Sequence, residues 1–226
     1  MIKTYNAKQW EIKAILDGRK TCIRRLIKPQ PDKEHTYSLG FVIESTNKKA
    51  VGRFGFGIDE CGGSIQYSKP PYLYGDIIYI RETWCRYGKL DNFDQVIEGT
   101  EKYYYRADGE NPTPYNHFLV QKNGYDEYRD SPVWHPSIHM PKEAARIWLK
   151  VTDVRVERLQ EITEAGATKE GCEYDVEYAL GNTARGHFIK LWDSTIKKSD
   201  LDRYGWNANP WVWVIEFERC EKPKGV

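Results

Sequence analysis

Residues 211–218 read Trp-Val-Trp-Val-Ile-Glu-Phe-Glu, with Trp211, Trp213, Ile215 and Phe217 alternating against Val212, Val214, Glu216 and Glu218. Successive side chains of a strand point to opposite faces, so this period of two demands a sheet buried on one side and half-buried on the other. An aromatic content of 14%, with eight Trp and sixteen Tyr, argues the same way, for β structure and against a helical bundle. A chain of 226 residues is long enough for one sizeable core, or for a core with a large insertion.

Other elements are legible around that strand. Gly75-Asp76 is a turn before the β-branched run Ile77, Ile78 and Ile80, which predicts a strand over 75–82. Residues 146–156 alternate, with Ile147, Leu149 and Val151 on one face and a bulge expected near Asp153. Asn6 as N-cap, Trp10, Ala14, Ile15 and Leu16 at helical spacing, and Gly18 as a stop predict a helix over 7–17. Short helices are expected at 141–145 and 163–170, and an amphipathic one at 184–196 with Phe188, Leu191 and Trp192 on its apolar face. Residues 32–74 read as a hairpin region, with a short strand at 41–43 and the Gly-rich stretch 52–57 as loop. The expected class is α+β, with a few helices around a small mixed β-barrel.

Residues 86–137 are rich in Gly, Asn, Asp and Pro, and Lys102-Tyr103-Tyr104-Tyr105-Arg106 is expected to be an edge strand there. About fifty residues of mostly loop exceed an ordinary connection, so the segment reads as an insertion with a function or with mobility.

Several function classes lack support. No run approaches the roughly 18 apolar residues of a membrane span, and no apolar stretch follows Met1 as in a signal peptide. The expectation is a cytoplasmic protein with no membrane partner. Five cysteines, at 22, 61, 85, 172 and 220, are odd in number and lack a C-x-x-C pair, so reduced thiols are expected. No phosphate loop, dinucleotide fingerprint or G-x-S-x-G elbow is present, and no cofactor is expected. His135 and His139 are four apart but sit among prolines without a third ligand, so no metal is expected either.

Charge is uneven. Residues 1–31 carry Lys3, Lys8, Lys13, Arg19, Lys20, Arg24, Arg25 and Lys28 against Glu11 and Asp17, a net +6 in a chain whose total is +1. A localised anion site or a solvated basic helix end would each produce this. The expected loop 19–25 concentrates the chemistry. Lys20 is a cation that turns into a base when buried, Arg24 offers a planar fork for phosphate or carboxylate, and Thr21 supplies a hydroxyl. Cys22, set among these cations, is expected to have a lowered pKa and is a second candidate nucleophile. At the end of the 75–82 strand Arg81 and Glu82 take opposite faces, so one of them turns inward or toward a cleft. Trp84 beside them either stacks on a base or caps the core.

The helix followed by Gly18-Arg19-Lys20-Thr21-x-x-Arg24 resembles the signature of ASCH domains, members of the PUA-like superfamily. Gly75-Asp76-Ile77-Ile78-Tyr79-Ile80, the stretch Leu159 to Gly171 and Trp213-Val214-Ile215-Glu216-Phe217 are similar to further ASCH segments in the same order. Arg81-Glu82-Thr83-Trp84 and residues 206–211 are similar to the longer, phage- or prophage-borne branch. The resemblance covers residues 1–28, 72–86 and 138–219. It implies one PUA-like β-barrel domain over 1–226 with flanking helices, the 86–137 insertion within it, and a cleft between the barrel and the basic loop.

It also implies binding of RNA or of a modified nucleoside or base, with hydrolysis of a modified base, as in the small N4-acetylcytidine amidohydrolases, or of RNA. The Lys and Glu of those amidohydrolases fall on Lys20 and Glu170. Their catalytic Thr falls on Ile23, leaving Thr21 as the nearby hydroxyl. On this reading Lys20, Thr21 and Glu170 are catalytic, and Arg19, Arg24, Arg25, Arg81 and Trp84 contact nucleic acid. The alternative is a phage interaction protein whose 86–137 insertion docks a protein partner.

Overall fold

The computed structural model describes residues 1–88, 97–109, 118–122, 125–129, 133–173 and 183–225. In chain order its elements are β1 (Ile2–Asn6), α1 (Gln9–Leu16), β2 (Cys22–Leu26), β3 (Tyr37–Phe41), β4 (Phe54–Gly57), β5 (Ile65–Ser68), β6 (Ile77–Arg81), β7 (Trp84–Tyr87), β8 (Lys102–Tyr105), β9 (Phe118–Lys122), β10 (Tyr125–Arg129), β11 (Trp148–Arg158), α2 (Glu164–Lys169), α3 (Ala184–Thr195), α4 (Leu201–Tyr204) and β12 (Trp211–Cys220). The class is α+β, with parallel and antiparallel pairing both present. Among the described residues no sheet closes into a barrel. The chain divides into two compact units. The first holds Met1, Gly18–Asp76 and Lys150–Glu218, and the second holds Ile2–Asp17, Ile77–Leu149 and Arg219–Val226.

In the first unit β2 runs antiparallel to β12, with Ile23 opposite Ile215 and Arg24 opposite Val214. The expected basic loop is therefore half strand, from Cys22 onward. The central part of β12 is buried on both faces, more than its sequence suggests: Val212, Trp213, Val214 and Ile215 are all inside. Against it pack Leu159, Ile162, Ala167, Phe188 and Trp192. Burial of a side chain such as Phe188 contributes about 1.5–3 kcal/mol. Both helices that carry these residues open on a threonine cap. Thr163 Oγ1 accepts from Gly166 N and Thr183 Oγ1 accepts from Gly186 N, each at 3.0 Å.

β3, β4 and β5 form an antiparallel sheet in that order. The stretch 52–57, expected as loop, supplies its central strand. Phe54 and Phe56 are buried, and the intervening glycines let neighbours close in: a Cβ on Gly57 would lie 2.8 Å from Leu39 Cδ1. Glycine in a strand interior marks such a close approach as readily as it marks a loop.

In the second unit β1 pairs parallel with β6, Ile2 opposite Ile77 and Tyr5 opposite Ile80. This pairing delays the helix. Ala7 N still donates to Arg81 O, so α1 starts at Gln9 behind Lys8, whose N–H is capped by Glu11 Oε2 at 2.9 Å, and Asn6 is not its cap. β7 and β8 pair antiparallel, Trp84 opposite Tyr105, and β9 and β10 form a further antiparallel pair. The tyrosine run is a strand over 102–105, while Arg106 already begins a 3₁₀ turn. Tyr103 and Tyr105 pack on Met140, Ala144 and Trp148. The segment 86–137, expected as mostly loop, thus supplies β8, β9 and β10, while 89–96, 110–117, 123–124 and 130–132 lie outside the described residues.

Of the strand-end pair Arg81 and Glu82, it is Glu82 that turns inward, with no exposure. Arg146 meets it through Nε at 2.9 Å and Nη2 at 2.8 Å, and also holds Asp108 at 2.7 Å. Its guanidinium lies 4.0 Å from the Tyr105 ring centre. Burial raises the Glu82 pKa above the ordinary 4.5, against the lowering effect of Arg146.

A buried cluster of Lys20, Arg24 and Glu170

Lys20 precedes β2, and Glu170 is the residue that closes α2. The two face each other across an isolated antiparallel bridge. Lys20 Nζ donates to Glu170 Oε2 at 2.8 Å and to the Glu170 main-chain oxygen at 2.9 Å. The second bond meets one of the carbonyls that a helix leaves without an intrahelical partner at its C-terminus, where a cation is favoured. Both side chains are enclosed, at 2% and 6% exposure.

Arg24 completes the cluster from β2. Its Nη1 donates to Glu170 Oε1 at 3.2 Å and its Nη2 to Glu157 Oε2 at 3.0 Å. The guanidinium carbon lies 5.9 Å from the Phe188 ring centre. Space for it comes from Gly166, where a Cβ would sit 3.4 Å from Arg24 Nη2 and 3.2 Å from Ile162 Cγ1. A glycine in the first turn of a six-residue helix is a poor choice by propensity, and this close approach explains it. Arg24 Nε is buried and makes no hydrogen bond among the described residues.

The charges continue outward. Arg155 binds Asp153 at 2.6 Å, Glu157 at 2.7 Å and Glu216 at 2.9 Å, and Lys169 reaches Glu216 at 3.4 Å. Lys20, Arg24, Arg155 and Lys169 thus face Glu170, Glu157, Asp153 and Glu216, four cations on four carboxylates. Of the eight cations in residues 1–31, Lys20 and Arg24 meet carboxylates from distant segments here, Glu170 and Glu157.

The other expected site residues fall as follows. Thr21 is held by its main chain, its N–H donating to Lys169 O at 2.8 Å and its carbonyl accepting from Phe217 N at 3.0 Å. Ile23 is a core residue. Arg19 pairs with Glu173 at 2.6 Å, and Arg25 is exposed on β2. Arg81 and Trp84 belong to the second unit. Arg81 donates to Tyr79 Oη at 3.1 Å and to Ile138 O at 3.3 Å. The Trp84 ring is packed by His135 at 5.0 Å and Tyr103 at 5.7 Å between centres.

The expected lowering of the Cys22 pKa is overturned. The thiol is buried, and desolvation, helped by the Glu170 charge, pushes it up to about 12 against the opposing pull of Arg24 and Lys20. Proximity to cations does not lower this thiol, because burial outweighs their pull.

Sequence reasoning missed Glu157 as a partner of Arg24, although Arg155 and Glu157 share one face of a strand. A cavity of about 380 Å³ in the same unit is lined by Asp193, Leu201, Asp202, Gly205, Trp206, Asn207 and Ala208, and shares no residue with the cluster. No helix of the described residues is long and apolar enough to cross a membrane. Comparison with family models, with curated proteins and with solved structures finds no match to the chain.

Proposed function

We propose that this protein binds RNA or a modified nucleoside through its first unit, in the manner of the PUA-like ASCH proteins it resembles. We further propose that Lys20 and Glu170 supply the acid–base chemistry for hydrolysing a modified base or RNA. The observation that carries this reading is the 2.8 Å contact between Lys20 Nζ and Glu170 Oε2. The resemblance picked out these two residues 150 positions apart, and a Lys–Glu pair within hydrogen-bond reach is what a proton relay needs. Arg24 orients the Glu170 carboxylate, and its buried Nε offers a donor to a ligand oxygen. Phosphate contacts fall to exposed Arg25 and to Arg19, which would exchange its exposed partner Glu173 for phosphate, rather than to Arg24, whose two terminal nitrogens hold carboxylates inside the fold. Ile23 at the position of the amidohydrolase Thr makes a water activated by Lys20 or Glu170 the attacking group.

The test is a panel of modified nucleosides and short RNAs, read by thermal shift and by product mass, on wild type, Lys20→Met and Glu170→Gln. A true ligand at a hundred times its Kd stabilises wild type by about 2.7 kcal/mol and the variants far less. Product that both variants fail to form establishes the relay. Stabilisation that both folded variants retain would remove Lys20 and Glu170 from the site.

A further inference from the structure

In the first unit a second set of reactive groups stands clear of the Lys20 cluster. His35 is buried. Its Nδ1 is 2.6 Å from Asp32 Oδ1, and its Nε2 is 3.2 Å from the hydroxyl oxygen of Ser64. Asp32 is fixed. Its Oδ1 also accepts from the main-chain N–H of Glu34 and of His35, each at 3.1 Å, and its Oδ2 accepts from Gln66 Nε2 at 2.5 Å. Gln66 Oε1 in turn accepts from Asp32 N at 3.1 Å, which ties the 32–35 loop to β5. An ionised carboxylate only accepts, so neutral His35 carries its proton on Nδ1 and leaves Nε2 to accept from the serine. The His35 hydrogen bond holds Asp32 below the ordinary carboxylate range.

We propose that Ser64 is an activated nucleophile for small esters, with His35 as its base and Asp32 as the residue that orients His35. These are the roles of a serine–histidine–aspartate triad, which is recognised by geometry and not by chain order. Ser64 is exposed, directly after Gly62-Gly63 and just before β5, while its base is buried. Apolar surface lies at the same sheet end. Tyr37 and Ile65 occupy one cross-strand row through Gly57, and both are exposed, as is Ile58. The substrate class is therefore an activated ester with a short apolar acyl group.

The chemistry balances without any cofactor. Ser64 Oγ forms a bond to the acyl carbon as its proton passes to His35 Nε2. The tetrahedral adduct then breaks its bond to the leaving alcohol, which takes that proton from His35. Water then bonds to the acyl carbon as it gives a proton to the same nitrogen, and the bond from that carbon to Ser64 Oγ breaks as His35 returns the proton to Oγ, which releases the acid.

The test is a fluorophosphonate probe, with peptide mass spectrometry to locate the adduct and p-nitrophenyl acetate to read acylation. Wild type should be labelled on Ser64, Ser64→Ala not at all, and His35→Gln about a hundredfold more slowly or worse. Should His35→Gln fail to fold, Asp32→Asn at its exposed position should give the same direction of loss with the fold intact. No adduct on Ser64, or an adduct that forms as fast in the urea-unfolded chain, would overturn the proposal and leave the three residues as a loop clamp.

Discussion

Glu170 closes α2 with its backbone and anchors Lys20 with its carboxylate, so one residue joins a helix end to the segment entering β2 from 150 positions away. Removing one member of an enclosed pair strands its partner, at a cost of about 3–5 kcal/mol. Lys20→Met and Glu170→Gln should each lose about 3 kcal/mol in urea unfolding. The double variant should lose less than the two losses added, with a coupling of about 1–3 kcal/mol. Additive losses would show that the contact contributes nothing beyond its two environments.

Gly166 gives a prediction in two backgrounds. In wild type Gly166→Ala should destabilise by about 1 kcal/mol, because the new methyl group meets buried Ile162 Cγ1 at 3.2 Å and Arg24 Nη2, fixed by two carboxylates, at 3.4 Å. In an Arg24→Ala background the loss should shrink by about 0.5 kcal/mol, since the Arg24 contact is gone while Ile162 stays in place. Melting curves of the four proteins decide it.

In the second unit, Glu82→Gln should cost about 3 kcal/mol, since it leaves Arg146 with Asp108 alone beside a wholly enclosed amide. The pair replacement Glu82→Leu with Arg146→Met should recover most of that loss in the same assay. Failure of the pair to recover would mean that the geometry of the ions, and not their mutual neutralisation, organises this core.

The thiols set an alkaline limit. Burial pushes Cys22 and Cys85 up to about 12 and Cys172 to about 11, from an ordinary 9.0. A group whose pKa is raised on folding adds stability that is fully present below its unfolded value and is lost as pH rises through its folded one. The urea midpoint should therefore fall steadily between pH 9 and about 11–12, and less steeply in Cys85→Ala. At pH 8 iodoacetamide should modify exposed Cys61 in the native protein, and reach Cys22, Cys85 and Cys172 only after unfolding.

The sequence made visible whatever depends on local pattern. The alternation of Trp211 to Glu218, the amphipathic spacing of Phe188, Leu191 and Trp192 on α3, and the β-branched run of β6 all appear where their spacing places them. Elements whose reason for existing lies elsewhere in the chain were not legible. β1 is short and half polar, and it is a strand because β6 pairs with it. β4 looks like a loop until Leu39 and the 59–62 turn are seen pressing on its glycines. The basic loop marked Lys20, but Glu170 was singled out only through a family likeness, since nothing in the local sequence marks the two as partners. Asp32, His35 and Ser64 lie on two loops with no characteristic spacing, and only the β5 link through Gln66 brings them together.

The enclosed ion pairs also set what a polyanion can gain from this protein. Binding of nucleic acid draws much of its free energy from small ions released by phosphates as protein cations replace them. Lys20 and Arg24 already have Glu170 and Glu157 as permanent counterions. They cannot take part in that exchange without abandoning the fold. The salt dependence of any complex then counts only the exposed cations, Arg25 among them, and its logarithmic slope should be the same in Lys20→Met as in wild type. On the proposed reading, Lys20 and Arg24 act on a ligand at short range and not through the long-range field.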